Sequence, residues 1–140
     1  MAIIHASIGR NHYGTALRSA TNAYLADEPL ADGGGDKGFS PSELLAASLA
    51  TCTCVTLRMY ADRKGWPLED VQVKVDFSRD AGLNISNIRR DISLLGPLSD
   101  EQRQRLLQIA NSCFIHKTLS NPIHIQSALS PAADQTDHAL

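Results

Sequence analysis

The feature that most constrains the fold of this chain is an uncharged run, residues 44–57, inside a longer helical segment. Residues 40–43 read Ser-Pro-Ser-Glu, a capping box with proline at the first helical position. Gly65 and Pro67 predict that the helix ends near Lys64. One small domain could hardly bury a helix that lacks a charged face along this run, so the sequence favours burial against a second subunit.

The amino-acid composition indicates the broad class of protein. The uncharged run alone is too short to span the roughly 30 Å core of a bilayer. Charged residues make up 20% of the chain, as in soluble globular proteins. The first residues lack a basic start followed by a long apolar run, so we expect a cytoplasmic protein without a membrane partner. A net charge of −2 gives no basic surplus for phosphates, which argues against nucleic-acid binding.

Alternating apolar and polar residues predict a β-hairpin. The alternation covers residues 71–78 and 86–95, with a turn expected at residues 78–82. Two shorter strands are predicted from β-prone patches within residues 2–9 and 13–25.

The C-terminal part is predicted to add one helix and one strand. A capping box at residues 99–102 opens a helix over residues 100–113, and isoleucines predict a last strand at residues 123–125. The resulting order, ββ-α-ββ-α-β, defines a single α+β domain over residues 1–129. The small, polar tail at residues 130–140 is predicted to be flexible.

The three cysteines are the clearest candidates for chemically reactive residues. In a reducing cytoplasm, free thiols are either packed core residues or redox and catalytic groups. Cys52, inside the uncharged run, is inert if merely buried and reactive if a cation or an interface activates it. Cys113, near the predicted end of the second helix, is either a core residue or a resolving thiol at a mobile helix end. Cys54 lies about 200° around the helix from Cys52 and is interpreted as packing.

Two other chemistries stay open from the residues alone. Cys52, Cys54, Cys113 and His116 include the ligand types of zinc, but Cys52 and Cys54 diverge on a continuous helix, so one ligand would be lost. A cysteine hydrolase with His116 or His124 as its base is the other alternative, although no nucleophile-elbow glycines flank Cys52.

Two motifs resemble a known family. Residues 40–52, SPSELLAASLATC in one-letter code, resemble the signature helix of the OsmC/Ohr family of osmotically inducible and organic-hydroperoxide-resistance proteins. Residues 113–119, CFIHKTL, resemble its second-cysteine motif, and residues 26–34 are similar to the YhfA-type subgroup. The resemblance covers residues 1–128. It implies an OsmC-like α+β fold, an intertwined homodimer with antiparallel sheets wrapped around long central helices.

The resemblance also implies a reaction. Cys52 would be the peroxidatic cysteine, attacking an organic hydroperoxide to give an alcohol and a sulfenic acid. Cys113 would resolve that sulfenic acid as a disulfide. A dithiol reductant, lipoyl-type or a low-molecular-weight thiol, would restore the enzyme, and no metal, haem or flavin would take part. The alternative is a non-catalytic or redox-sensing dimer that binds an apolar small molecule.

The chain departs from the family pattern at two supporting positions. The best-studied branches of the family place a glutamate directly after the proline, where this chain has Ser42, with Glu43 one residue later. Glu43 points away from Cys52 on an ideal helix, so a capping role is favoured over a catalytic one. The thiolate-activating arginine would have to be Arg18 or Arg10, of which Arg18 is preferred.

Overall fold

The computed structural model describes residues 1–131, so most of the predicted flexible tail lies outside the described residues. These residues form two compact units. The first is Met1–Leu44 together with residues 125–131, and the second is Leu45–His124.

The first unit contains a three-stranded antiparallel sheet. Its strands, in spatial order, are β1 (His5–Ser7), β2 (Thr15–Arg18) and β3 (Ala23–Ala26). The prediction of one strand within residues 13–25 was therefore wrong, because the chain reverses after β2. Ser19 makes this turn, since its hydroxyl accepts the backbone N–H groups of Thr21 and Asn22 at 3.3 and 3.0 Å.

A buried carboxylate organises the loop that follows β3. One oxygen of Asp27 accepts the N–H groups of Tyr13 and Glu28, and the other accepts those of Gly35 and Lys37. Burial alone would raise the pKa of Asp27, but these four hydrogen bonds favour the charged form and lower its pKa overall. The glycine-rich segment is thus ordered around one side chain.

The long helix α1 spans Pro41–Lys64, as the sequence predicts. Its capping box is formed, since the Ser40 N–H donates to Glu43 Oε1 at 2.9 Å and the Glu43 N–H donates to Ser40 Oγ at 3.2 Å. Its buried residues recur every four positions: Leu49, Thr53, Leu57 and Ala61.

Much of α1 is exposed in this single chain. Val55 is 45% exposed and Met59 61% exposed, although both are large and apolar. By length and composition α1 could cross a membrane, with a mean hydropathy of 1.4 over an 18-residue window of which 22% is buried. The uncharged run considered alone is shorter than this window. The core helix of a soluble protein satisfies the same two criteria, so they do not decide between the two environments.

A long hairpin and two short helices complete the second unit. Strands β4 (Asp70–Asp80) and β5 (Ile85–Leu95) pair in antiparallel fashion, as predicted, but β4 extends to Asp80 and the turn follows it. Helix α2 spans Asp100–Ala110 and α3 spans Phe114–Leu119. The core of this unit is built from α1, the segments flanking the hairpin and α2: Leu57, Ala61, Leu68, Leu98, Leu106 and Ala110.

Two predictions for the C-terminal part need correction. The Ser99–Gln102 capping box is formed, but α2 ends at Ala110, and Cys113 is the N-cap of α3 rather than part of α2. Ile123 and Ile125 do not lie in a strand, because no strand within residues 1–131 pairs with them.

Candidate functional site

The structure brings Cys52 and Cys113 together. Cys52 lies on α1, half-buried, and Cys113 precedes α3 and is only 1% exposed. Both thiols are free, and each lies close enough to the other to shift its pKa. Two residues far apart in sequence thus form a thiol pair within the second unit.

Cys52 is the more acidic of the two thiols. Burial alone would raise its pKa, but hydrogen bonds from the Cys113 thiol, the Ile115 N–H, the Thr56 hydroxyl and the Phe114 N–H outweigh burial and lower it. Thr56 lies one helical turn after Cys52 on α1, whereas the other three groups come from the start of α3. These donors favour the nucleophilic thiolate.

Cys113 is shifted in the opposite direction. Burial and the hydrogen bond to the Cys52 sulfur raise its pKa, although the His116 N–H, which donates to the Cys113 sulfur at 3.4 Å, acts against them. Cys52 therefore gives up its proton more readily than Cys113 does. Of the two thiols, Cys52 is the better candidate for the nucleophile.

Cys54 has different surroundings. Its thiol faces β4 and donates to the Val71 carbonyl oxygen at 3.9 Å. Burial and the nearby charge of Asp70 raise the pKa of Cys54, which makes it a poor nucleophile at neutral pH. Within residues 1–131, no three His, Cys, Asp or Glu side chains are grouped so that they could hold a metal ion.

The structure places the three expected supporting residues in a helix cap, a strand and a loop. The Glu43 carboxylate accepts the Ser40 N–H in the helix cap. Arg18 lies in β2 in register with His5 of β1 and Ala23 of β3, and Arg10 is exposed in the loop before β2. A direct effect of these three residues on Cys52 stays a prediction.

An arginine that the sequence analysis did not select lies beside the thiol pair. Arg90 of β5 donates to Thr53, the residue after Cys52, and to His116, which also contacts Cys113 through its backbone N–H. The signal in the sequence was an arginine between Ile88 and Ile92, on the otherwise apolar face of an alternating strand.

A cavity of about 430 Å³ adjoins this cluster. Arg90, Asn111 and His116 form polar parts of its wall, and Leu49 and Ile92 are among its apolar residues. Burial and the positive charge of Arg90 lower the pKa of His116, so its imidazole is neutral at pH 7. The site therefore combines a thiolate-forming cysteine, a protonated thiol and a neutral imidazole.

The sequence and the fold identify the protein family. The sequence matches the OsmC-like protein family over residues 33–128, and the chain belongs to this family. Its α+β fold is the OsmC-like fold, shared with solved structures at low sequence identity. No curated protein sequence is significantly similar to this one.

Three solved structures show the extent of the likeness. The OsmC-like protein of Mycoplasma pneumoniae is 21% identical with a TM-score of 0.74, and the match covers 86% of this chain and 87% of that one. The organic hydroperoxide resistance protein OsmC of Legionella pneumophila is 21% identical with a TM-score of 0.65, covering 85% and 88%. The organic hydroperoxide resistance protein OhrB of Bacillus subtilis is 22% identical with a TM-score of 0.59, covering 84% and 89%.

Proposed function

We propose that this protein is a thiol peroxidase that reduces organic hydroperoxides in a redox stress response. The main support for the proposal is that the two thiols are shifted in opposite directions: the pKa of Cys52 is lowered and that of Cys113 is raised. Two of the structural relatives described above are organic hydroperoxide resistance proteins. These opposite pKa shifts favour Cys52 as the attacking thiol and Cys113 as the resolving thiol.

In the first step, the Cys52 thiolate attacks the terminal oxygen of the hydroperoxide. The O–O bond breaks, the leaving alkoxide takes up a proton to become an alcohol, and Cys52 becomes a sulfenic acid. In the second step, the Cys113 sulfur attacks the Cys52 sulfur, water leaves and a disulfide forms. An external dithiol, lipoyl-type or a low-molecular-weight thiol, then reduces the disulfide and is itself oxidised.

Disulfide formation must bring the sulfur atoms of Cys52 and Cys113 closer together, since both thiols are free in this structure. Cys113 is buried and makes hydrogen bonds through its sulfur, and the pair is free in this structure. The Cα atoms of a disulfide lie within about 7 Å of each other. The segment between α2 and α3 is short and not helical, which suits a residue that must shift towards its partner.

The proposal includes a cytoplasmic homodimer. The support is the exposed apolar face of α1, where Leu45, Val55 and Met59 lie with small residues between them. Such a face is unfavourable in water and would be buried if the α1 helices of two copies packed together. Small residues allow the close approach of two backbones that this packing needs.

The decisive experiment is thiol counting by intact mass before and after one equivalent of cumene hydroperoxide. Loss of two hydrogens, mapped to a Cys52–Cys113 disulfide, is the expected result. The matched control is Cys54→Ser, which should give the same loss because Cys54 faces β4. Three unchanged thiols in the wild-type protein would contradict the proposal.

The alternative function is a non-catalytic or redox-sensing dimer that binds an apolar small molecule. A mostly apolar cavity of about 400 Å³ beside α1, lined by residues that include Val55, Met59 and Val71, favours it. Retained binding of an apolar fluorescent probe by a Cys52→Ser/Cys113→Ser variant, together with unreactive thiols in the wild type, would support this function over the peroxidase.

A further inference from the structure

Arg90 makes four hydrogen bonds around the thiol pair. Its Nη1 donates to Thr53 Oγ1 at 3.1 Å and to the Ala110 carbonyl oxygen at 3.3 Å. Its Nη2 donates to Asn111 Oδ1 and to His116 Nδ1, each at 3.1 Å. One side chain of β5 thereby joins α1, the end of α2 and α3.

These contacts leave little of the guanidinium free for a substrate. An arginine side chain has five N–H donors, and the four bonds occupy all those of Nη1 and Nη2. Because arginine cannot accept a hydrogen bond, His116 Nδ1 must be the acceptor, which places the imidazole proton on Nε2. Arg90 is therefore bonded as a structural clamp rather than as an anion-binding group.

Three of the four residues that Arg90 contacts, which we call its anchors, flank in sequence the segment that donates to Cys52. Ala110 and Asn111 precede residues 113–115, and His116 follows them directly. Residues 113–115 hold three of the four polar groups that lower the pKa of Cys52, and the Cys113 sulfur is itself held by the His116 N–H at 3.4 Å. The fourth anchor, Thr53, is the residue next to Cys52 on α1, so Arg90 is bonded to both sides of the contact.

We propose that Arg90 is a positioning residue for the thiol pair, which holds residues 113–115 against Cys52 and so maintains the reactivity of Cys52 without touching it. This inference rests on the proposed function of Cys52 as the attacking thiol. The physical basis is geometric, because hydrogen bonds weaken steeply when donor and acceptor are misaligned. Small displacements of the three donors in residues 113–115 would therefore stabilise the Cys52 thiolate less. The clamp also keeps Cys113 beside the sulfur that it would resolve.

The test is the pH dependence of Cys52 alkylation by iodoacetamide, followed on the Cys52 peptide by mass spectrometry. In Arg90→Met, the pKa of Cys52 should rise and the alkylation rate at pH 7 should fall about three- to tenfold, because tenfold less thiolate corresponds to about one pH unit. The matched control is Arg89→Met. Arg89 is the neighbouring residue on β5, is exposed and pairs with Asp91, so its removal should leave the profile unchanged.

Alkylation of Cys52 needs no peroxide, so the role of Arg90 and the peroxidase activity are tested independently. An unreactive wild type towards cumene hydroperoxide would contradict the peroxidase, while the alkylation profile would still decide the role of Arg90. A folded Arg90→Met protein with a wild-type profile would overturn the clamp.

A second variant covers the case in which Arg90→Met does not fold. His116→Ala removes one anchor and is compared with Lys117→Ala, an exposed neighbour on α3. A raised Cys52 pKa in His116→Ala, with no change in Lys117→Ala, would support the clamp. Identical profiles for both variants and the wild type would overturn it.

Discussion

Cys52 and Cys113 shift each other's pKa in opposite directions, since the Cys113 thiol lowers the pKa of Cys52 and Cys52 raises that of Cys113. A proton donated to Cys52 stabilises its thiolate, and the same thiolate disfavours ionisation of Cys113. In the proposed mechanism, Cys52 acts first because it is the thiol whose pKa is lowered.

Removing the donor should make Cys52 less reactive. In Cys113→Ala, burial of Cys52 is no longer opposed by the thiol hydrogen bond, so its pKa should rise and alkylation at pH 7 should slow about two- to tenfold. Cys113→Ser retains a hydroxyl donor and should stay close to the wild type. Equal alkylation profiles for Cys113→Ala and the wild type would show that this bond is unimportant.

Cysteine variants should separate the two chemical steps. Cys52→Ser should consume no hydroperoxide, while Cys54→Ser should match the wild type, as measured by residual cumene hydroperoxide in the presence of a lipoyl dithiol. Cys113→Ser should give one rapid turnover and a trapped sulfenic acid on Cys52, detected by dimedone labelling. Steady peroxide consumption by Cys52→Ser would contradict the assignment of Cys52.

Acid should weaken the second unit through His116. The pKa of His116 in the folded protein lies below its ordinary value of about 6.5, so the unfolded state binds more protons in the window between the two values. The stability that depends on neutral His116 is present above about pH 6.5 and is lost as the pH falls through the folded-state pKa, since an imidazolium cannot accept from Arg90.

Urea unfolding at pH 7.5 and pH 5.5 measures this effect. The loss of stability on acidification should be smaller in His116→Gln than in the wild type. His124→Gln is the control, because His124 is exposed. Equal losses in the wild type and in His116→Gln would show that His116 does not contribute.

Asp27→Asn should destabilise the first unit. The carboxylate accepts two backbone N–H groups on each oxygen, and an amide would turn an N–H₂ group towards one of these donor pairs. The melting temperature at pH 7 should fall, and the difference from the wild type should shrink below about pH 4, because protonation weakens the same contacts in the wild type. Asp32→Asn, at an exposed position, should melt like the wild type.

The proposed dimer should depend on the exposed face of α1. Val55→Asp would place a charge in the middle of the buried seam, and the variant should be monomeric by light scattering at concentrations where the wild type is a dimer. Leu83→Asp, in the exposed turn between β4 and β5, should remain dimeric. A wild-type monomer at high concentration would contradict the dimer.

The sequence alone predicted the elements that are determined by residues close together in the chain. The capping boxes at Ser40 and Ser99 and the alternation in β4 and β5 predicted where two helices begin and where one hairpin lies, because caps and side-chain periodicity depend on residues close in the chain. The cysteines alone suggested an attacking and a resolving thiol, and the family resemblance implied the same roles for Cys52 and Cys113. In the structure, the two thiols lie close enough to shift each other's pKa.

Tertiary structure decided what depends on distant neighbours. Ile123 and Ile125 have strand propensity, but a strand requires a partner, and within residues 1–131 none pairs with them. The Arg90 contact to Thr53 joins residues 37 positions apart, so no local pattern could predict it. Propensity and capping are properties of neighbouring residues, whereas the pKa of Cys52 is set by donors that reach it only after α1, β5 and α3 have packed together.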